Sequence, residues 1–244
     1  MKRIAALFDI HRPFNIPLDP VLEFLKDFKP HITVIGGDAH DFPSLSSWVS
    51  DQSRTLDGGT IKENLDDLNE NVLKPVRRAV GNGEMVYLEG NHEWRVRLAA
   101  QQRPDIRGLI ELERNIPKDI EFLPMNVPYR ANSNLVFIHG LVKGMGATIY
   151  HARRTVEAYH RTVIYGHYHT FQTHMTVSPV DVEDYYMGIS VGCLCDLNPD
   201  FMKNKPNAWA HGFCFGYLEK DDTFQIDPIP IVKNKFWALG RRYK

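Results

Sequence analysis

The chain has 244 residues, a formal net charge of -1 at pH 7, 43% hydrophobic residues and 24% charged ones. That balance excludes global disorder, and it excludes a broad positive field for nucleic acid while leaving room for a local basic patch. No stretch reaches the ~20 apolar residues of a membrane helix, and the short run Ile4–Phe8 lacks the length and cleavage site of a signal peptide. The expectation is a cytoplasmic protein with no membrane partner.

In chain order, Lys2–Phe8 is a β-type run. Leu18–Phe28 has helical spacing, with Val21, Leu22, Leu25 and Phe28 on one face. Ile32–Ile35 is a short β-branched strand. Ile61–Val80 reads as a long helix, its stripe made of Leu65, Leu68, Val72 and Val76, and Pro75 predicts a kink. Gly81 and Gly83 end it, and Met85–Leu88 is the next strand. A helix follows over Glu93–Ala100. Strands separated by helices predict βαβ units and a largely parallel sheet. Later, Leu135–Ile138 and Thr162–Tyr165 read as strands around a helix at Gly146–Tyr159. Beyond Phe171 the pattern turns to short strands, with Met187–Val191, Gly212–Leu218 and Phe224–Val232 the clearest. One domain over residues 1–244, with two packed sheets, is the simplest organisation. The three cysteines, Cys193, Cys195 and Cys214, are too few and too oddly spaced for a disulfide framework or a zinc site. They read as buried thiols in strands.

Five clusters carry metal-ligand residue types directly after an apolar β-type run: Asp9-Ile10-His11, Gly36-Gly37-Asp38, Gly90-Asn91-His92-Glu93, His139-Gly140 and Gly166-His167-Tyr168-His169. Strand carboxyl ends share one edge of an open α/β sheet, so side chains far apart in sequence converge there. Glycines beside them let the backbone turn tightly and approach a ligand. Carboxylate and imidazole together suit manganese, iron, zinc or a related divalent ion. Each cluster alone is weak. Five in this order, each on a strand end, point to a metal site.

The order Asp9-x-His11, Gly37-Asp38, Gly90-Asn91-His92-Glu93, His139 and Gly166-His167-x-His169 resembles the signature of the calcineurin-like metallophosphoesterases. The segment Gly192–Pro199 and the ending Gly240–Tyr243 resemble, less specifically, small phage- and prophage-type members. The resemblance implies a four-layer αββα sandwich of two mixed β-sheets flanked by helices, with two divalent metal ions at one edge. Manganese is expected before iron, zinc, nickel or magnesium. Asp9, His11 and His169 would hold one ion and Asn91, His139 and His167 the other, with Asp38 bridging. His92 would stand near the leaving group, and Asp41 would orient a ligand histidine. The implied reaction is hydrolysis of a phosphoester by a hydroxide shared between ions about 3.5–4 Å apart. His92 and Asn91 would also face substrate. Arg12 and Arg95 are candidate phosphate contacts, although Arg95 suits a solvated helix face equally well.

The motif Gly36–Asp41 lacks the extension of the protein-phosphatase branch, which favours a phosphodiesterase acting on nucleotides, DNA or RNA. A broad phosphomonoesterase and an inactive binding scaffold stay open as alternatives. His40 reads as a core or surface histidine, and Glu93 as a helix-start acid with no catalytic task. The C-terminal Lys233, Lys235, Phe236, Trp237, Arg241, Arg242, Tyr243 and Lys244 mix charge with aromatic rings, as a nucleic-acid surface does. A basic tail with its aromatics packed on the core fits the same residues.

Overall fold

The computed structural model describes residues 1–46, 58–140, 149–199 and 202–244. The apolar runs become buried strands. β1 (Lys2–Leu7), β2 (Ile32–Ile35), β3 (Glu84–Leu88) and β4 (Ile120–Leu123) pair in parallel. On the other side of β1 lies antiparallel β10 (Gly212–Leu218), followed by β11 (Phe224–Pro230), which gives the order β11-β10-β1-β2-β3-β4. A second sheet runs β5-β6-β7-β9-β8, built from β5 (Tyr129–Arg130), β6 (Leu135–Ile138), β7 (Thr162–Tyr165), β8 (Phe171–Val177) and β9 (Tyr185–Val191). Within it β6, β7 and β9 are parallel, while β5 and β8 are antiparallel edges. Both sheets are therefore mixed.

Alternation along β1 explains the layering. Ile4, Ala6 and Phe8 point between the sheets, where they meet Val34, Val86, Phe137, Ile164 and Val191. Ala5 and Leu7 point outward, against Val21, Phe24, Leu25, Leu65 and Val76 of the helices. A strand buried on both faces needs a continuous apolar run, which is how these strands read in the sequence. The outer face of the second sheet, Val136, Ile138, Val163 and Tyr165, packs on Tyr159 at the end of a helix over His151–Tyr159. The order is helix, sheet, sheet, helix, as expected. The expected start of that last helix, residues 146–148, lies outside the described residues.

Among the described residues the α-helices are α1 (Asp19–Phe28), α2 (Ile61–Leu68), α3 (Lys74–Val80), α4 (Asn91–Gln102), α5 (Arg107–Ile110), α6 (Leu112–Asn115) and α7 (His151–Tyr159). The long helix expected over Ile61–Val80 is interrupted by a π turn at Asn69–Leu73, where Lys74 N–H donates to Asn69 O. Pro75 has no N–H and its ring crowds the carbonyl one turn back. The wider turn absorbs that clash upstream of the proline, so the bend takes the form of a π turn. Leu65, Leu68, Val72 and Val76 are all buried nonetheless. Among the described residues no helix is long and apolar enough to cross a membrane.

The basic, aromatic C-terminus folds as a hairpin, β12 (Phe236–Ala238) and β13 (Arg241–Tyr243), against α1. Phe236 and Tyr243 stack at 5.1 Å, both touch Phe24, and Arg241 pairs with Asp27 at 2.7 Å. Those two rings are core, so base stacking on them is ruled out. Trp237 is 69% exposed. Phe236→Ala should destabilise the chain by about 3–5 kcal/mol in a denaturant titration, the usual cost of emptying a buried aromatic site. Trp237→Ala should change it by less than about 0.5 kcal/mol.

Candidate metal centre

The carboxyl ends of β1, β2, β3, β6 and β7 meet at one edge, and each carries one of the five sequence clusters. The connecting backbone is laced together there. Asp9 N–H donates to Gly37 O, His11 N–H to Asp38 O, and Gly166 N–H to His139 O, at 3.2, 2.8 and 2.9 Å. Asp9, His11, Asp38, His167 and His169 all take left-handed backbone, with φ between 48° and 66°. For non-glycine residues that conformation costs on the order of 1–2 kcal/mol each. Such strain gathers where side chains must be aimed rather than packed. Two glycines are fixed by close approach. A Cβ at Gly166 would lie 2.2 Å from Asp9 Oδ2, and one at Gly90 would lie 2.2 Å from Asp38 Oδ1.

In the first half of the site, His11 Nδ1–H donates to Asp41 Oδ1 at 3.2 Å. Its Nε2 therefore presents a lone pair, 3.3 Å from His169 Nε2 and 3.7 Å from Asp38 Oδ2. Two imidazole nitrogens bound to one ion at about 2.1 Å lie roughly 3.0–3.4 Å apart. Asp9 completes this half. Its Oδ2 accepts from His167 N–H at 2.7 Å. Its Oδ1 is buried with no hydrogen-bond partner and faces His169 Nε2 at 3.6 Å.

The second half repeats the arrangement. His139 Nδ1–H donates to Gly36 O at 2.9 Å. Its Nε2 then faces Asn91 Oδ1 at 3.0 Å and Asp38 Oδ2 at 3.4 Å. His167 Nδ1 is 2.8 Å from the same Asn91 oxygen. Asp38 Oδ2 thus stands between the halves. Ligand atoms of Asp38, His139 and His167 lie within 4.8 Å of one another, as do those of His11, Asp38 and His92.

Electrostatics follow the geometry. Burial opposes charge on every group here, but the neighbours outweigh it at several. His169 next to Asp9, and His139 next to Asp38, hold the two carboxyls below their usual range. The same contacts push His139 and His169 up to about 10, against burial. His11 and His167 are shifted down by burial. The cluster therefore demands positive charge, supplied by protons or by cations.

The remaining candidates sit around this core. His92 N–H donates to Asp38 Oδ1 at 2.8 Å, and its ring Nδ1 is 3.0 Å from Asp41 Oδ1. Its Nε2 is 3.9 Å from Asp38 Oδ2 and accepts from Arg95 Nη2 at 3.2 Å. Asp41 thus orients both His11 and His92, and the hydrogen bonds from these two rings hold its carboxyl well down despite burial. Arg95 also donates to Asp41 O. Arg12 is turned away into a two-pronged pair with Asp67, with Nε 2.9 Å from Oδ2. His40 is buried, accepts from Phe42 N–H at 2.9 Å and donates to Asp67, a structural role.

Three features were not legible in the sequence. Glu93 is fully buried, and its carboxylate collects Asp38 N–H, Ala39 N–H, Gly90 N–H and Tyr87 O–H at 2.6–3.0 Å. It clamps the β2 loop onto α4, a task beyond the helix-start role expected. Cys193 and Cys195 lie past the end of β9 in isolated bridges to His211 and Asn15, not within a strand. Cys195 Sγ is 3.7 Å from His169 Nδ1, and its thiol is pushed up by Cys193 and by burial. Trp209 sets its ring edge-on to His169 at 4.2 Å.

No protein-family profile and no curated protein matches the chain. Similar solved structures include Vps29 from Chaetomium thermophilum, at 10% identity and TM-score 0.45, covering 93% of this chain and 96% of that one. A metallophosphoesterase from Sphaerobacter thermophilus gives 14% identity and TM-score 0.42 over 92% of this chain and 88% of that one. A Thermotoga maritima protein gives 12% identity and TM-score 0.41 over 93% and 99%. These likenesses are distant and carry nothing about activity.

Because His139 and His169 hold protons up to about pH 10, a divalent cation must displace them. Binding at pH 7 should release protons, and affinity should fall as pH falls. Calorimetry in buffers of different ionisation enthalpy reads the release directly, and a value of zero would contradict the charge state. Gly166→Ala, which drives a methyl group into Asp9 Oδ2, should weaken divalent-ion binding at least about tenfold by the same measurement.

Proposed function

We propose that the chain is a binuclear, metal-dependent phosphoester hydrolase of the calcineurin-like type, acting on phosphodiesters of nucleotides or nucleic acid. The observation that carries this reading is the convergence of acceptors. Asp9 Oδ1, His11 Nε2, Asp38 Oδ2, Asn91 Oδ1 and His139 Nε2 face one another, and the Nδ1–H groups of His11 and His139 point away, to Asp41 and Gly36. Buried carboxylates crowded against imidazole nitrogens call for positive charge, which a divalent cation supplies once it displaces the ring protons. Asp9, His11, Asp38 and His169 fit one divalent ion, and Asp38, Asn91, His139 and His167 fit the second. Manganese suits this mixed nitrogen and oxygen donor set. Bound there, the two cations would supply an activated water near neutral pH and neutralise charge gathering on the phosphoryl oxygens.

The chain's own groups supply the rest. His92 sits beside Asp38, with Asp41 against its Nδ1. Burial resists its protonation, yet Asp38 and Asp41 outweigh that and raise its pKa. Protonated at Nε2, it can give that proton to the leaving oxygen, a step worth typically 10²–10⁴-fold. While the ring is protonated it cannot accept from Arg95, which leaves that Nη2 group available to a phosphate oxygen before the proton is delivered. Arg12, tied to Asp67, is the weaker phosphate contact of the two. The absence of a protein-phosphatase extension after Asp38 supports the diester over a phosphoprotein substrate.

Bis-p-nitrophenyl phosphate should be hydrolysed with manganese and not with chelator. Metal uptake without turnover on diesters or monoesters would instead make the chain a scaffold. His92→Ala should keep its manganese and lose about 10²–10⁴-fold in kcat. Parallel loss of metal and rate would move His92 among the ligands. Asp38→Asn should weaken both ions, and unchanged binding of two ions would end the bridging assignment.

A further inference from the structure

Cys195 is buried at the rim of the first half-site. Its Sγ lies 3.7 Å from His169 Nδ1. The opposite nitrogen of that ring, Nε2, faces His11 Nε2 and Asp9 Oδ1 at 3.3 and 3.6 Å. Asp9 Oδ1 is buried and lacks a hydrogen-bond partner. The imidazole therefore spans from a sulfur on one side to the ring nitrogen of His11 and the buried carboxylate of Asp9 on the other. A ring that offers its Nε2 lone pair to a cation carries its proton on Nδ1, and that N–H needs an acceptor. Carboxylates and carbonyls are the usual partners. Here the group within reach is a sulfur.

The sulfur is held in place by the backbone on both sides. Leu194 N–H donates to Asp9 O at 3.0 Å, and Cys195 O accepts from His211 Nε2 at 2.8 Å. Cys193 N–H donates to Ala210 O, and Ala210 N–H donates to His169 O, at 2.9 and 2.8 Å. One segment, Cys193–Cys195, is thus tied to the strand ends that carry Asp9 and His169.

We propose that Cys195 is a positioning residue: its sulfur accepts the Nδ1–H of His169, fixes that tautomer and aims Nε2 at the first cation position. This rests on the metal reading above. Ligand atoms of His11, His169 and Cys195 lie within 4.8 Å of one another, so direct ligation is the competing arrangement. Geometry favours the positioning role, since the sulfur lies behind the ring on the Nδ1 side, whereas a ligand sulfur would crowd Nε2.

Cobalt(II) titration of the full chain, followed by absorption and by calorimetry, separates these cases. Cys195→Ala should weaken one of two binding steps about 10–100-fold, leave the other nearly unchanged and shift the visible cobalt bands. Cys195→Ser, which keeps an acceptor, should recover most of the lost affinity. Wild type should show no thiolate-to-cobalt charge-transfer band. Equal melting temperatures of the metal-free chains would show that the variants report on the site. A charge-transfer band lost in Cys195→Ala would make the sulfur a ligand and overturn the proposal. Unchanged affinity in Cys195→Ala, or a serine variant no better than alanine, would overturn it too. Wild type that binds no cobalt would instead remove the metal reading itself.

Discussion

Two carboxylates, Asp9 and Asp38, are buried in a nest of imidazoles at the edge of two sheets, and their negative charge must be matched. An uncompensated buried charge costs several kcal/mol, more than most single contacts return. The imidazoles match it with protons, and under the proposed function divalent cations would take the place of those protons. The remaining features of the site serve to keep these charges together. Left-handed turns at five candidate ligands aim the side chains inward. Gly90 and Gly166 leave room for the carboxylates to approach.

The fold makes such an arrangement affordable by surrounding it with rigid elements. Parallel strands deliver their carboxyl ends to one edge, and both faces of each strand are packed. Strain in the loops is therefore borne by apolar layers that have little freedom to relax. Glu93 shows the coupling most clearly. Its carboxylate joins β2, β3 and α4 through backbone donors and Tyr87, so Asp38 cannot move without breaking a buried hydrogen-bond network. Asp41 couples His11 to His92 in the same way, so the position of the candidate proton donor depends on a candidate ligand.

Much of this was legible in the chain, and the reason is local. Ile32–Ile35, Leu135–Ile138, Thr162–Tyr165 and Gly212–Leu218 match their strands residue for residue because both faces are buried and the apolar runs are unbroken. The candidate ligands were legible because each follows such a run. What escaped depends on partners far away. β8 has the exposure pattern of an edge strand, with no continuous apolar run to mark it. The π turn at Asn69–Leu73 is an answer to Pro75 that spacing alone does not encode. Arg12 looked well placed because it follows His11, yet Asp67, 55 residues later, holds it. Cys195 does not have the spacing of a zinc site, and only the return of the chain after β9 brings it to His169.

The central claim is that one buried cluster holds two cations sharing Asp38. Electron paramagnetic resonance of the chain titrated with manganese reads this most directly. At two equivalents the account predicts the broad, multiline signal of an exchange-coupled pair. Isolated single-ion spectra at every ratio, or no binding, would contradict it.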